Sequence, residues 1–175
     1  MKKQENSETK RKSIISIIIL FAILIVDAII KIIVFTNKGK LPVQVIKDVF
    51  NLVHYENVMT NLATFVLTYT IVFVVIIRFM IKKRERNSIK VNVALSMVLG
   101  GGIGNVIDAI IGGSITDYLE VKGLPIMNLD DIIMILGCIL FVIFIIIDLL
   151  KKDKVTVENK EDYREENKVS EEQKG

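Results

Sequence analysis

Four stretches of about 20 mostly apolar residues constrain the fold of this 175-residue chain more than any other feature. At a rise of about 1.5 Å per residue, a helix of about 20 residues crosses the roughly 30 Å hydrocarbon core of a bilayer. The stretches are residues 14–35, 62–81, 91–111 and 129–150. The sequence therefore predicts a mainly α membrane protein, built as a bundle of four transmembrane helices, and excludes a soluble enzyme.

Charged residues make up 25% of the chain but lie mostly outside these stretches. A basic leader occupies residues 1–13, and a tail with seven basic and eight acidic residues occupies 151–175. The tail has no apolar periodicity and is predicted to be a disordered cytoplasmic segment, which leaves 14–150 as the folded domain. The leader could open a signal peptide, but the apolar run that follows is long and lacks a small-x-small cleavage site, so we expect a retained span.

The distribution of Lys and Arg predicts the side of the membrane on which each loop lies, because short basic loops stay cytoplasmic. Five basic residues lie in the leader and five between 82 and 90, against three in the loop 36–61 and one in the loop 112–128. Both termini are therefore expected in the cytoplasm and both longer loops outside. Within the first outer loop, the β-branched and aromatic stretch 49–55 predicts a short strand at the membrane surface.

A charged side chain inside a span needs a partner, because it costs roughly 2.5–3.5 kcal/mol at the bilayer centre. Asp27 and Lys31 lie four residues apart on the first span, hence on one helical face, and are expected to form an ion pair. Two interpretations of this pair remain open, a purely structural role and a role in organising a site.

Small and polar residues share one face of the third span. Asn105 and Asp108 are expected to turn toward the bundle interior, because polar atoms are not tolerated against lipid. This face could be a small-residue packing surface, with Asn105 bonding a neighbouring helix, or it could be part of a polar site. Its members are Gly101, Gly104, Asn105, Asp108 and Gly112.

The densest polar region follows the third span and begins the fourth. Asn128 is predicted to cap the fourth helix with Asp131 at its third position, which would explain both residues structurally. A helix cap does not account for Asp117, a second acid on the same outer surface. Two carboxylates in one site cannot both ionise easily, so one keeps a proton and the other acts as a base, as an aspartic peptidase requires. The helix dipole would favour ionised Asp131 and leave the proton on Asp117.

Other chemistries have weaker support from the residues. One cysteine excludes an internal disulfide and a multi-thiolate metal site, and one histidine, His54, excludes a histidine-built zinc site. We expect no metal and no cofactor. A net charge of +3, split between the termini, does not indicate a nucleic-acid binder. The competing class is a proton- or cation-coupled transporter, which is disfavoured because the acids cluster at one surface.

The segment from Gly100 to Gly137 resembles the signal peptidase II family, the prolipoprotein signal peptidases of bacteria. The family pattern is Gly-Gly-x-x-Gly-Asn-x-x-Asp-Arg, then Val-x-Asp-Phe, then Phe-Asn-x-Ala-Asp. The corresponding residues here, 101–109, 115–118 and 127–131, read GGIGNVIDA, ITDY and MNLDD. The Asp27-x-x-x-Lys31 pair is similar to the first-span motif of the family, and Asn57 to the Asn of its Arg-Asn-x-Gly loop.

The resemblance implies a four-helix membrane bundle with a small extracytoplasmic β element, in the bacterial plasma membrane with both termini cytoplasmic. It implies a monomeric aspartic endopeptidase, in contact with membrane lipid, that cleaves a diacylglyceryl-modified prolipoprotein just before its lipidated cysteine. By the same resemblance, the catalytic residues are Asp117 and Asp131. The supporting polar residues are Asp27, Lys31, Asn57, Asn105, Asp108 and Asn128.

Three departures from the family pattern bear on activity. Ala109 stands where the family has Arg, which removes a cation expected to pair within the polar site. In the loop motif, Glu56 replaces Arg and Met59 replaces Gly. The chain is therefore expected to be a divergent active peptidase or a paralogue that binds lipidated substrates without cutting them.

Overall fold

The computed structural model describes residues 2–82 and 88–172, and it contains four long helices with a small sheet at one end of the bundle. The helices are α1 (Lys2–Thr36), α2 (Leu62–Lys82), α3 (Ile89–Gly112) and α4 (Leu129–Glu172). The strands are β1 (Val43–Ile46), β2 (Phe50–Val58) and β3 (Ser114–Val121), and a 3-10 turn, Lys38–Lys40, follows α1.

Each helix contains a segment long and apolar enough to cross a membrane. The four segments are Lys10–Thr36, Leu62–Lys82, Ile89–Gly112 and Leu129–Leu150, within a few residues of the predicted spans. Large apolar side chains on the outside of the bundle, such as Ile18, Leu67 and Val75, are more than half exposed. Contiguous exposed apolar surface of this kind suits contact with lipid tails. The four-helix membrane fold predicted from the sequence is confirmed.

α3 is the central helix and packs against α1, α2 and α4. Glycines allow the closest approaches, as small residues do in membrane bundles where apolar burial between helices contributes little. A Cβ added to Gly137 of α4 would lie 2.8 Å from the carbonyl oxygen of Ala94 on α3. Added to Gly102 of α3, a Cβ would lie 2.8 Å from the Phe73 ring of α2. On the predicted face of α3, Gly101 and Gly104 lie against the backbone and carboxylate of Asp130 on α4, whereas a Cβ at Gly112 would meet nothing closer than 3.8 Å, so the packing role is confirmed for the first two only.

The three strands form an antiparallel sheet in the order β1-β2-β3. β1 and β2 belong to the loop between α1 and α2, while β3 belongs to the loop between α3 and α4, so the sheet joins the two loops. Gly113, with a φ of 69°, ends α3 in the left-handed region and turns the chain into β3. The strand predicted at 49–55 is confirmed as β2, but β1 and β3 were not predicted.

The two ends of the chain differ from the sequence-based expectation. α1 begins at Lys2, inside the basic leader, and α4 continues as a helix to Glu172, where a disordered tail was predicted. Lys and Glu are good helix formers, and residues 151–172 contain no glycine or proline to stop the helix. The basic residues Lys83, Arg84 and Arg86, which supported a cytoplasmic linker, lie outside the described residues.

Replacing Gly137 with alanine is expected to destabilise the bundle, because the new methyl group would collide with the α3 backbone at Ala94. Overpacking of this kind costs about 1–3 kcal/mol. Thermal unfolding in detergent measures the effect as a lower melting temperature. Gly112→Ala is the matched helical control, since its Cβ would meet nothing closer than 3.8 Å. Equal melting temperatures for the two variants would contradict the close α3–α4 contact.

Candidate active site

The polar residues singled out in the sequence gather at the end of the bundle that carries the sheet. They come from α1, α3, the strands β2 and β3, and the first turn of α4. α1 and α3 reach this end with their C-termini, and α2 and α4 begin there. Side chains far apart in the sequence, such as Asp27 and Asp131, therefore belong to the same polar region.

Lys31 is the cation at the centre of a buried acidic cluster. Its Nζ lies 2.6 Å from Asp27 Oδ2, 3.0 Å from Asp108 Oδ2 and 3.4 Å from Asp130 Oδ2. Lys31 and Asp27 are 7% and 2% exposed. The predicted ion pair is confirmed, but it is more than a local pair within α1. Because Asp108 is on α3 and Asp130 is on α4, the ammonium group links three helices.

The alanine at position 109 does not leave Asp108 without a cation. Asp108 Oδ2 is bound by Lys31 and also accepts a hydrogen bond of 3.2 Å from the backbone N–H of Thr116. Ala109 itself is fully buried, with no exposed surface. Within the polar region, Lys31 therefore supplies positive charge next to Asp108.

Two asparagine amides connect the candidate acids Asp117 and Asp131. Asn128 Nδ2 donates to Asp117 Oδ1 at 2.8 Å and to Asn105 Oδ1 at 2.9 Å. Asn105 Nδ2 in turn donates to Asp131 Oδ1 at 2.7 Å. Both amides are buried, at 0% and 1% exposure. A continuous chain of hydrogen bonds therefore runs from the carboxylate on β3 to the carboxylate on α4.

Asn128 and Asp131 also form the predicted cap of α4. The backbone N–H of Asp131 donates to Asn128 Oδ1 at 2.9 Å, and the backbone N–H of Asn128 donates to Asp131 Oδ2 at 3.2 Å. This reciprocal pair is a capping box and fixes the first turn of the helix. The capping role uses Asp131 Oδ2 and leaves Oδ1 facing Asn105, so capping does not exclude a second role.

Asp117 is a buried acid on β3, 3% exposed. Burial, together with the charge of Asp131, raises the pKa of Asp117 to about 6, against the opposing effects of the Asn128 and Asn57 amides and the Lys31 charge. Asn57 acts from β2, where it pairs with Ile115, two residues before Asp117 and on the same face of the sheet. A carboxyl group in this state can hold a proton close to neutral pH.

Sequence reasoning missed two members of the site, Tyr118 and Asp130. The Tyr118 hydroxyl donates to Asp27 Oδ1 at 2.9 Å. Asp130 lies between the two residues of the predicted cap and was assigned no role, but its side chain has no exposed surface. One signal could have identified it, because Asp130, Met134 and Gly137 recur at helical spacing on the face of α4 that packs against α3.

Asp130 adds a third carboxylate around one ammonium group. Gly104 makes room for it, because a Cβ at that position would collide with the Asp130 carboxylate. No described donor reaches Asp130 Oδ1. A buried carboxylate with an incomplete set of partners is costly, more so than a neutral side chain of the same shape.

A comparison with protein families matches residues 19–147 to signal peptidase (SPase) II. The chain belongs to the signal peptidase II family. The match contains the second and third spans, most of the first and fourth, and every site residue described above. As a member of this family with four membrane-spanning helices, the chain is a multi-pass membrane protein.

Individual relatives and solved structures agree with this membership. The lipoprotein signal peptidase of Staphylococcus haemolyticus is 31% identical over 150 residues, which is 78% of this chain and 91% of that protein. That of Halothermothrix orenii is 28% identical over 136 residues, 73% of this chain and 92% of that protein. A bacterial membrane enzyme solved by the in meso method at 2.3 Å superposes with a TM-score of 0.67 at 27% identity, covering 79% of this chain and 88% of the other.

Asp27→Asn is expected to lower stability, whereas Asp130→Asn is not. Asp27 pairs with Lys31 at 2.6 Å and accepts from Tyr118, so its neutralisation should cost about 1.5–3 kcal/mol, typical of a hydrogen bond to a charged group. Asp130 is the most distant of the three acids from Lys31, so its neutralisation should leave the melting temperature unchanged or raise it. Thermal unfolding at pH 7 measures both. If Asp130→Asn lowered the melting temperature more than Asp27→Asn, the interpretation of Asp130 as one carboxylate too many around Lys31 would be wrong.

Proposed function

We propose that this chain is an aspartic endopeptidase that removes signal peptides from diacylglyceryl-modified prolipoproteins, with Asp117 and Asp131 as its catalytic residues. The observation that carries the proposal is the hydrogen-bonded path between these two acids through Asn128 and Asn105. Membership of the signal peptidase II family supports peptide-bond cleavage, and the relatives named above are lipoprotein signal peptidases.

The two acids differ in the way that acid–base catalysis requires. Asp131 accepts N–H bonds at both oxygens, from Asn105 and from the backbone of Asn128, and is the proposed base that takes a proton from the attacking water. Asp117, with its raised pKa, is the proposed acid that protonates the developing oxyanion or the leaving amine.

The position of the pair fits a substrate held in the membrane by a lipid. Both acids lie where β3 and the first turn of α4 meet, at the end of the bundle formed by the longer loops. If both termini are cytoplasmic, this end faces outward, at the level where the lipidated cysteine of a prolipoprotein would lie. The proposed route of entry is sideways from the bilayer, and cleavage occurs just before that cysteine in a monomeric enzyme surrounded by lipid.

A transporter is the less favoured alternative. Beyond the polar site, side chains of α1, α2 and α3 line an open cavity of about 530 Å³ toward the opposite end of the bundle. Its polar lining residues are neutral, namely Ser13, Ser16, Asn92 and Ser96. A proton relay needs ionisable groups through the depth of the membrane, and the lining of this cavity supplies none.

Asp117→Asn and Asp131→Asn are each expected to abolish cleavage of a lipidated reporter, because each removes one partner in the transfer of the proton. Loss of a general acid or base costs about 10²–10⁴-fold in rate. Unprocessed and processed reporter are separated on a gel after expression in a strain that lacks its own prolipoprotein peptidase. Asp148→Asn, which changes the same residue type near the far end of the α4 span, should process normally.

Each outcome of this complementation experiment has a defined meaning. Processing by the parent and by Asp148→Asn, without processing by either site variant, supports the aspartic mechanism. Normal processing by Asp117→Asn or Asp131→Asn overturns the assignment of these two acids as the catalytic residues. An inserted, well-expressed parent that binds the lipidated reporter without cutting it supports the inactive paralogue instead.

Activity is expected to decline as the pH rises above about 6, by about tenfold for each further pH unit. The folded protein holds the Asp117 proton up to about pH 6, and the proposed mechanism loses its acid once that proton dissociates. Folding raises the pKa of Asp117, so the folded state keeps this proton after the unfolded chain has lost it. The free energy of unfolding therefore falls as the pH rises from about 4 to 6. Initial rates of the purified enzyme in detergent, across pH 5–8, measure the decline. A rate that stays constant or rises through this range would contradict Asp117 as the acid.

A further inference from the structure

The buried hydroxyl of Tyr118 makes two hydrogen bonds. It donates to Asp27 Oδ1 at 2.9 Å and accepts from the backbone N–H of Leu129 at 3.1 Å. The side chain is 2% exposed, and burial together with the Asp27 charge raises the pKa of the hydroxyl, so it keeps its proton and can donate. Both of its hydrogen-bonding capacities are used by groups from other elements, α1 and α4.

The bond from Leu129 satisfies an N–H group that a helix cannot satisfy by itself. The first N–H groups of any helix lack partners within the helix. In α4, Asn128 caps the N–H of Asp131, and the Tyr118 hydroxyl accepts from Leu129, the first residue of the helix. β3 therefore supplies a second cap to the helix that carries Asp131.

Tyr118 is placed between the two backbone segments that hold the acids. It follows Asp117 directly in β3, and the residue that it binds lies two positions before Asp131. Backbone bonds already join these segments on one side, with the N–H groups of Tyr118 and Leu119 donating to Met127 O at 3.0 and 2.8 Å. The hydroxyl adds a further connection between β3 and α4, through Leu129, and also connects both to Asp27 of α1.

This hydroxyl is a feature of the chain and not of the family pattern, which has Phe at the position after the first catalytic aspartate. A phenylalanine would leave Asp27 Oδ1 and the Leu129 N–H without this partner. We infer that Tyr118 is a positioning residue, whose hydroxyl holds β3 and α4 so that Asp117 and Asp131 meet at the geometry needed for catalysis. The inference rests on the proposed peptidase function of the same site.

Tyr118→Phe tests the inference, because it removes the hydroxyl and keeps the ring. With the acids less well aligned, kcat is expected to fall about tenfold while KM changes less than twofold, since the substrate is still bound. Rates are normalised to folded protein, measured by size-exclusion and thermal unfolding in detergent. Tyr163→Phe makes the same chemical change in the charged extension of α4 and should leave kcat unchanged. An unchanged kcat in Tyr118→Phe overturns the positioning role.

A second measurement does not depend on proteolysis. The titration of Asp117, followed by NMR with labelled aspartate and assigned with Asp117→Asn, has an expected midpoint of about 6 in the parent. In Tyr118→Phe the midpoint should move down toward the ordinary range, because Asp131 and Asp117 separate and water enters. A midpoint that does not move overturns the inference. If the parent fails to cleave, the proposed function fails, and the titration still decides whether Tyr118 positions the pair.

Discussion

The structure depends on the burial of one ammonium group, that of Lys31. A lone cation among membrane helices is costly, and the cost is offset only when acids surround it. The acids come from α1, α3 and α4, so the three helices must assemble in one arrangement for Lys31 to be paired. Gly104 contributes by leaving space for Asp130. The cluster thereby sets the relative positions of the elements that carry Asp117 and Asp131.

Structural and site-forming roles coincide in the asparagines of this region. Asn128 caps α4 through its oxygen and contacts Asp117 and Asn105 through its amide nitrogen. Asp131 divides its two oxygens in the same way, one for the cap and one for Asn105. Asn128 and Asp131 each have two polar atoms, so each can cap the helix with one and contact a neighbouring polar side chain with the other. The two interpretations that the sequence left open, a helix cap and a polar site, are therefore compatible.

What could be predicted from the sequence depends on the range of the interaction. The four spans follow from local composition, and the Asp27–Lys31 pair follows from a four-residue spacing. β3 was missed although its residues suit a strand, because strand signals are weak without knowledge of the pairing partner. Asp130 and Tyr118 were missed because their partners are 99 and 91 residues away in the chain. The disordered tail was predicted from its charges and its lack of apolar periodicity, neither of which opposes helix formation in a segment free of glycine and proline.

The sequence by itself determined the number of spans, the family and the identity of the two candidate acids, because hydrophobic length and motif spacing are properties of the linear chain. Only the tertiary structure decided which groups surround each acid. It placed Lys31 among acids from three helices, and it brought the Tyr118 hydroxyl between Asp27 and the start of α4. Such contacts arise where helices and a sheet converge, and the distances between them are set by packing and not by sequence spacing.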